Sequence, residues 1–280
     1  MTFSIVAADP QAGEVGVATE SKFLAVGAVV TWARGAVGAV ATQSFADASF
    51  GPRGLDLLAG GVDPQAVLDR LLEPDEKREH RQVGIVDAAG RPASFTGKEC
   101  MEHAASITGE GFACQGNILA SPEVVPAMAE AFMASSGPLA DRLVEALRGA
   151  QRAGGDRRGQ ESAALLVAKP GGGYGGTSDS YVDLRVDHHD DPIEELARLL
   201  ELHDLYFQRP REEDLIVADR PLQEELARLL QDAGWPDPGR DLWDALFDYM
   251  GRENLEERWA GPGRIDPRVL EYLRSNVARR

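Results

Sequence analysis

Threonine stands second in the sequence, in MTFSIVAAD, and its chemistry depends on what precedes it. An aminopeptidase removes Met1 when the next residue is small, and threonine qualifies. Thr2 then carries a hydroxyl and an α-amine on one residue, the amine titrating at about 7.7–8.0. That pairing supplies nucleophile and base together, as in threonine–amine catalysis. With Met1 retained the amine is blocked, and Thr2 is a good strand residue and nothing more. Lys22, in TESK, is the only lysine in residues 1–76 of a chain that otherwise favours arginine. A lysine can lose its charge on burial or steady a neighbouring anion, whereas an arginine stays charged. Its other reading is an ordinary surface lysine.

Further polar residues fall where strands end. Gln43 and Ser44 close an apolar run, a place where a binding site can open. Asn117, in CQGN, is either a turn residue or an amide donor for an oxyanion, a role worth about 3 kcal/mol of barrier. Asp156, Arg157 and Arg158 crowd the segment GGDRRG, and paired arginines suit a carboxylate or phosphate; a solvated loop is the alternative.

Three patterns are weaker than they look. In DHHDD, adjacent residues of an extended segment point in opposite directions, and Asp191 reads as a helix cap, so no metal site is expected. GGGYGG lacks the lysine and the strand–loop–helix setting of a phosphate loop. Cys114 sits in an apolar run without a nearby histidine and reads as a buried thiol. The chemistry centred on Thr2 needs no cofactor.

Those residues must be held by a sheet. TFSIVAAD and EVGVATES are strand-like runs joined by PQAG, a hairpin loop. AVGAVVTWA and AVGAVATQS repeat the arrangement around Arg34-Gly35. All four are apolar on both faces, as strands covered on both sides are. Helical spacing follows over 52–58 and 64–72, the latter opened by Asp63-Pro64. RQVGIVD and RPASFTG read as a hairpin, GFACQGN as a strand, and 122–134 and 138–152 as helices. SAALLVAK and YVDLRVD are strands, and DPIEELARLLELHDLYF is a helix with a capping box, Asp191 and Glu194. Blocks of strands and helices in this order fit an α+β fold, a four-layer α/β/β/α sandwich.

Residues 1–207 form one expected domain, and the polar, proline-bearing segment 208–220 is a linker. Residues 221–280 carry three amphipathic helical stretches with Trp235, Trp243 and Trp259, enough for a small all-α domain.

The chain has 280 residues, 43% hydrophobic and 27% charged, with a formal net charge of −17. That charge repels nucleic acid and anionic lipid. No run approaches the roughly 20 apolar residues of a spanning helix, and no signal peptide is visible. Two cysteines give no disulfide framework, so a cytoplasmic location is expected.

Six blocks carry a resemblance: MTFSIVAADPQAGEVGVATESKF, GAVATQSFADASFGPRGLDLL, RQVGIVDAAGRPASFTG, GFACQGNILA, GGDRRGQESAALLV and YVDLRVDHHDDPIEELARLLELHDLYF. Over nearly all of residues 1–207 the chain resembles the bacterial DUF1028 family, which has an Ntn-hydrolase-like fold. LQEELARLLQDAGW and RIDPRVLEYLR resemble an appended peptidoglycan-binding-type module. The resemblance implies a fold and no demonstrated reaction. From the wider superfamily of N-terminal-nucleophile hydrolases it implies Thr2 as nucleophile and Lys22 near it; by residue type, Asn117 or backbone amides would hold the oxyanion, with Lys22 or Arg157 adding positive charge. The implied function is hydrolysis of a small amide or peptide-like substrate. The alternative is a non-catalytic scaffold that binds cell-wall fragments or peptides through the helical module. Sandwiches of this type pair through their helical layers, so a homo-oligomer is expected.

Overall fold

The computed structural model describes residues 2–235 and 240–278. It divides into two compact units, residues 1–200 and 201–280.

The first unit opens with the hairpin β1 (Thr2–Asp9) and β2 (Glu14–Ser21), closed by a turn in which Asp9 Oδ1 accepts from the N–H groups of Gln11 and Ala12. A short helix α1 (Gly27–Val30) leads into β3 (Thr31–Arg34) and β4 (Gly38–Ser44), followed by helices α2 (Phe50–Ala59) and α3 (Pro64–Leu72). Strands β5 (Arg81–Asp87), β6 (Pro92–Thr96), β7 (Ala105–Gly109) and β8 (Phe112–Asn117) come next. Helices α4 (Val124–Ala134) and α5 (Leu139–Arg152) and strands β9 (Ser162–Ala168) and β10 (Ser180–Val186) follow, and helix α6 (Pro192–Phe207) begins in this unit and has its last residues, from 201 on, in the second.

The strands form two sheets. One has six strands in the order β10-β9-β2-β1-β8-β7, and the other has four in the order β3-β4-β5-β6. Side-chain alternation makes the layers. Phe3, Ile5, Phe112, Cys114 and Leu165 of the six-stranded sheet pack on Met128, Leu143 and Leu147 of α4 and α5. Val40, Val83 and Ile85 of the four-stranded sheet pack on Leu55, Leu68 and Leu71 of α2 and α3. Between the sheets lie small residues, among them Val6, Val17, Ala39, Ala41, Val86 and Ala113. Small side chains let the two sheets approach closely, which explains the alanine and valine content of the opening strands. The architecture is the expected four-layer sandwich.

Helix α3 starts where the sequence says it should: Asp63 Oδ1 accepts from Gln65 N–H at 3.1 Å, with Pro64 in the first turn. The run AVGAVVTWA is not one strand. Its first half makes helix α1, because Val26 N–H is bound by the Ser162 hydroxyl (3.0 Å) and Gly27 lies against Ala164 of β9 too closely for a side chain. Tertiary contact overrides strand propensity there.

In the second unit, β11 (Ile216–Val217), α7 (Arg220–Asp232), α8 (Leu242–Arg252), β12 (Arg264–Ile265) and α9 (Pro267–Ala278) follow one another. The three helices match the three amphipathic stretches. The linker segment 208–220 is itself partly ordered, since Ile216 and Val217 pair with Ile265 and Arg264. Leu226, Leu246, Tyr249, Val269 and Leu273 form the core, with Trp235, Trp243 and Trp259 packed against it. The buried Arg258 guanidinium is bound by Asp266 and by the carbonyls of Asp204 and Leu205. No described helix is long and apolar enough to cross a membrane.

Candidate active site at the head of the central strand

Strand β1 lies inside its sheet, between β2 and β8, and Thr2 is its first residue. Alternation decides where Thr2 points. Phe3 and Ile5 face the helices, so Thr2 and Ser4 face the gap between the sheets. The same rule turns Ser21, Gln43, Gln82, Gln115 and Asn117 toward that gap, at the same end of the sandwich. Register confirms the grouping: Thr2 lies opposite Asn117, and Gln43 opposite Gln82.

These side chains form one buried network. The Thr2 hydroxyl donates to Ser21 Oγ at 3.1 Å. The Thr2 carbonyl accepts from Gln43 Nε2 at 3.1 Å and from Asn117 Nδ2 at 3.4 Å, one donor from each sheet. Gln82 Oε1 accepts from Gln43 Nε2 (2.8 Å) and Asn117 Nδ2 (2.9 Å). Its Nε2 donates to the Gly116 carbonyl at 2.8 Å, with Thr96 Oγ1 and the Ala105 carbonyl also in reach at 3.0 and 3.1 Å. Gln115 Nε2 donates to Ser4 Oγ, and Ser4 donates to Gln43 Oε1, both at 2.6 Å. Thr2 is 6% exposed, and Ser4, Ser21, Gln82 and Gln115 are fully buried. A Cβ on Gly84 would stand 2.1 Å from Gln115 Oε1, so only glycine lets that amide cross the gap. Every side chain of this network is uncharged.

Sequence reasoning named Thr2, Gln43 and Asn117 and missed Gln82 and Gln115. A signal was present: glutamines inside the apolar runs RQVGIVD and GFACQGN demand buried partners. Asn117 has its two protons directed at the Thr2 carbonyl and Gln82, so its amide holds the strand end rather than an empty oxyanion position.

The remaining expected residues lie elsewhere. Lys22 is exposed just beyond β2, its ammonium bound to Glu161 (2.9 Å) and the Gln160 carbonyl (2.9 Å). Ser44 has φ +67° and points to the opposite face of its strand, where its hydroxyl meets the Cys100 thiol. Asp156 is buried and anchors the loop: Oδ2 accepts from Lys22 N–H (3.0 Å), and Oδ1 from Arg158 N–H (2.7 Å). Arg158 turns its guanidinium back on Asp156 at 3.3 Å, and Arg157 is exposed on the same loop. His188 meets Glu161, and His189 Nδ1 accepts from Asp191 N–H. Among the described residues no group of three or more His, Cys, Asp or Glu side chains converges. The Cys114 thiol is fully buried on the helical face, and burial pushes its pKa far up. Met1 lies outside the described residues.

On that helical face, opposite Phe3, lies Glu20. It is fully buried, and among the described residues neither carboxylate oxygen finds a hydrogen-bond partner. Burial, and then the negative charge of Asp156, raise its pKa well above the usual carboxylate range, with Arg158 opposing.

Comparisons with known proteins agree with this architecture. Residues 206–273 match a domain described as a putative peptidoglycan binding domain. The crystal structure of protein SPO2555 from Silicibacter pomeroyi, described as a DUF1028 protein, is 34% identical in sequence with a TM-score of 0.66. The match covers 72% of this chain and 89% of that one. A comparison with curated proteins gives no match. Residues 2–196 match the family of unknown function DUF1028, and the chain belongs to that family.

Proposed function

We propose that the first unit is an amidohydrolase with Thr2 as an N-terminal nucleophile. One observation carries the reading: the Thr2 hydroxyl lies at the head of a central strand, 3.1 Å from a second hydroxyl, with its carbonyl held by amides from both sheets. Such bracing fixes the residue that must attack, and fixed geometry supplies much of an enzyme's advantage. The chemistry requires the chain to start at Thr2. The freed α-amine takes the hydroxyl proton as Oγ1 bonds to the amide carbon of the substrate. It then delivers that proton to the leaving nitrogen as the C–N bond breaks. Water hydrolyses the threonyl ester, releasing the acid and regenerating the hydroxyl. Ser21 orients the nucleophile, and Gln43 and Asn117 position the backbone behind it. Lys22 has no part in these steps, because its charge is taken up by Glu161.

Intact-mass analysis and labelling by an electrophilic lactone test the reading. The expected result is a native mass without Met1 and an adduct on wild type that Thr2→Ala lacks. Retention of Met1 on most molecules, or equal labelling of both proteins, overturns it.

A second reading concerns the second unit. Its match to a peptidoglycan-binding description is joined by an open groove of about 450 Å³ lined by Phe247, Trp259, Arg209 and Arg264. The two aromatic rings meet edge to face at 5.2 Å, and Phe247 is exposed. Exposed aromatic faces suit the apolar faces of sugars. We infer that this groove takes a cell-wall fragment. Muropeptide titration of the full chain should give saturable binding that Trp259→Ala abolishes; no binding at millimolar concentration removes this role.

A further inference from the structure

The neighbours of Thr2 lead to an unusual set of surface residues. Along the sheet on one side is Ser21, and two residues on stands Phe23. On the other side is Asn117, followed by Ile118, whose N–H binds the Met101 carbonyl at 2.8 Å. Across the gap is Gln43, and two residues on stands Phe45. Phe23, Leu24, Phe45 and Met101 are 54, 62, 63 and 59% exposed. Three separate loops at the Thr2 end of the sandwich thus each present a large apolar side chain to solvent.

Each loop is pinned. Ser162 accepts from Val26 N–H and donates to the Phe23 carbonyl. Arg81, locked to Asp75 at 2.7 Å, binds the Phe45 carbonyl, and Phe45 N–H donates to the His80 carbonyl at 3.2 Å. Cys100 Sγ donates to the Arg81 carbonyl, fixing the approach to Met101. Pinned loops hold their apolar tips out at a standing cost in exposed apolar surface, and several such tips at one end of a sandwich suit a binding surface. The interior behind the tips is uncharged, as described, and the chain as a whole carries −17. A charged ligand of either sign finds no counter-ion among the side chains of that network.

We propose that Phe23, Leu24, Phe45 and Met101 form the acyl-binding rim of the Thr2 site, and that the substrate is an uncharged amide with a bulky apolar acyl group. The inference rests on the amidohydrolase reading for its chemistry, but the rim can be tested by binding alone. Thr2 keeps only 6% exposure, and the loops that carry these tips follow directly on the strand ends around it. Their apolar surface then favours a phenyl or branched chain over a methyl or a carboxylate. One methylene in an apolar site is worth about 10–200-fold, so discrimination between a methyl and a benzyl group should be at least about tenfold.

The experiment measures binding of phenylacetamide, acetamide and succinamate to the full chain and to its Thr2→Ala variant, beside hydrolysis of the matching anilides. Phenylacetamide is expected to bind at least about tenfold more tightly than the other two, in both proteins. Phe45→Ser and Phe23→Ser should each bring that ratio toward one, while circular dichroism and melting stay unchanged. Equal binding of the three amides, or a ratio that survives both serine variants, overturns the inference. Sedimentation supplies the competing outcome: a dimer that the same variants dissociate, with no ligand preference, assigns the rim to a second copy and overturns it too. Apolar selectivity in binding without any anilide turnover sustains the rim and removes the amidohydrolase reading instead.

Discussion

Replacing Gln82 with methionine keeps the volume of the side chain and removes its polar end from the middle of the inter-sheet network. Gln82 accepts from Gln43 and Asn117 at 2.8 and 2.9 Å, and its two amide protons serve the Gly116 carbonyl and its neighbours Thr96 and Ala105. Four hydrogen bonds at about 1 kcal/mol each give an expected loss of about 4 kcal/mol. The residue is fully buried, so water does not easily replace them. At about 2–4 °C per kcal/mol for a domain of this size, the melting transition of the first unit should fall by about 8–16 °C. Scanning calorimetry measures the fall, and amide exchange at Thr2–Asp9 and Phe112–Asn117 assigns it to this unit. The same variant should slacken the hold on Thr2, because Gln43 and Asn117 lose their shared acceptor. A fall under about 2 °C would refute the reasoning, since the network would then be replaceable by solvent.

Three further outcomes follow from buried or paired charges. Glu20 has a folded pKa raised by burial and by Asp156, so stability is fully present below its unfolded value, about 4.3, and is lost as pH rises toward the folded value. Glu20→Gln should therefore melt higher than wild type at pH 7–8, with the gap closing near pH 4; a gap independent of pH contradicts this. Asp75 is held below the usual carboxylate range by its hydrogen bonds to Arg81, with a folded pKa under the unfolded one. Its contribution is present above the ordinary carboxylate pKa and lost as pH falls through the depressed value, so Asp75→Asn should flatten that acid limb in a melting series. Arg258→Ala leaves Asp266, 3% exposed at its side chain, without its counter-ion. The expected cost is about 3–5 kcal/mol to the second unit, read from denaturant unfolding; under about 1 kcal/mol would show that the pair is dispensable.

What could be read in advance depended on whether the cause was local. Asp63-Pro64 set the start of α3 by itself, and the alanine- and valine-rich opening strands announced a sheet covered on both faces. The turn of helix at Gly27–Val30 was hidden, because its cause is Ser162 and Ala164 far along the chain. Strand β7, short and at a sheet edge, carries too weak a pattern to stand out. The site divided in the same way. Thr2 was legible as a chemical possibility, but its partners come from β2, β4, β5 and β8, and only register brings them together. Lys22 misled because a hairpin argument gives proximity along the strand and not the direction of a side chain past its end, where Glu161 claims it.

The interior position of β1 also orders events during synthesis. Its hydrogen-bonding edge toward β8 stays open until a partner 115 residues later has emerged, since Asn117 is what closes on Thr2. During that interval the head of the strand has only its β2 neighbour, and the hydrogen bonds from the β8 side are still unmade. Closure around Thr2 is thus a late, non-local step of folding, and a variant that weakens the β8 side should delay ordering of the strand head more than that of the β1–β2 hairpin.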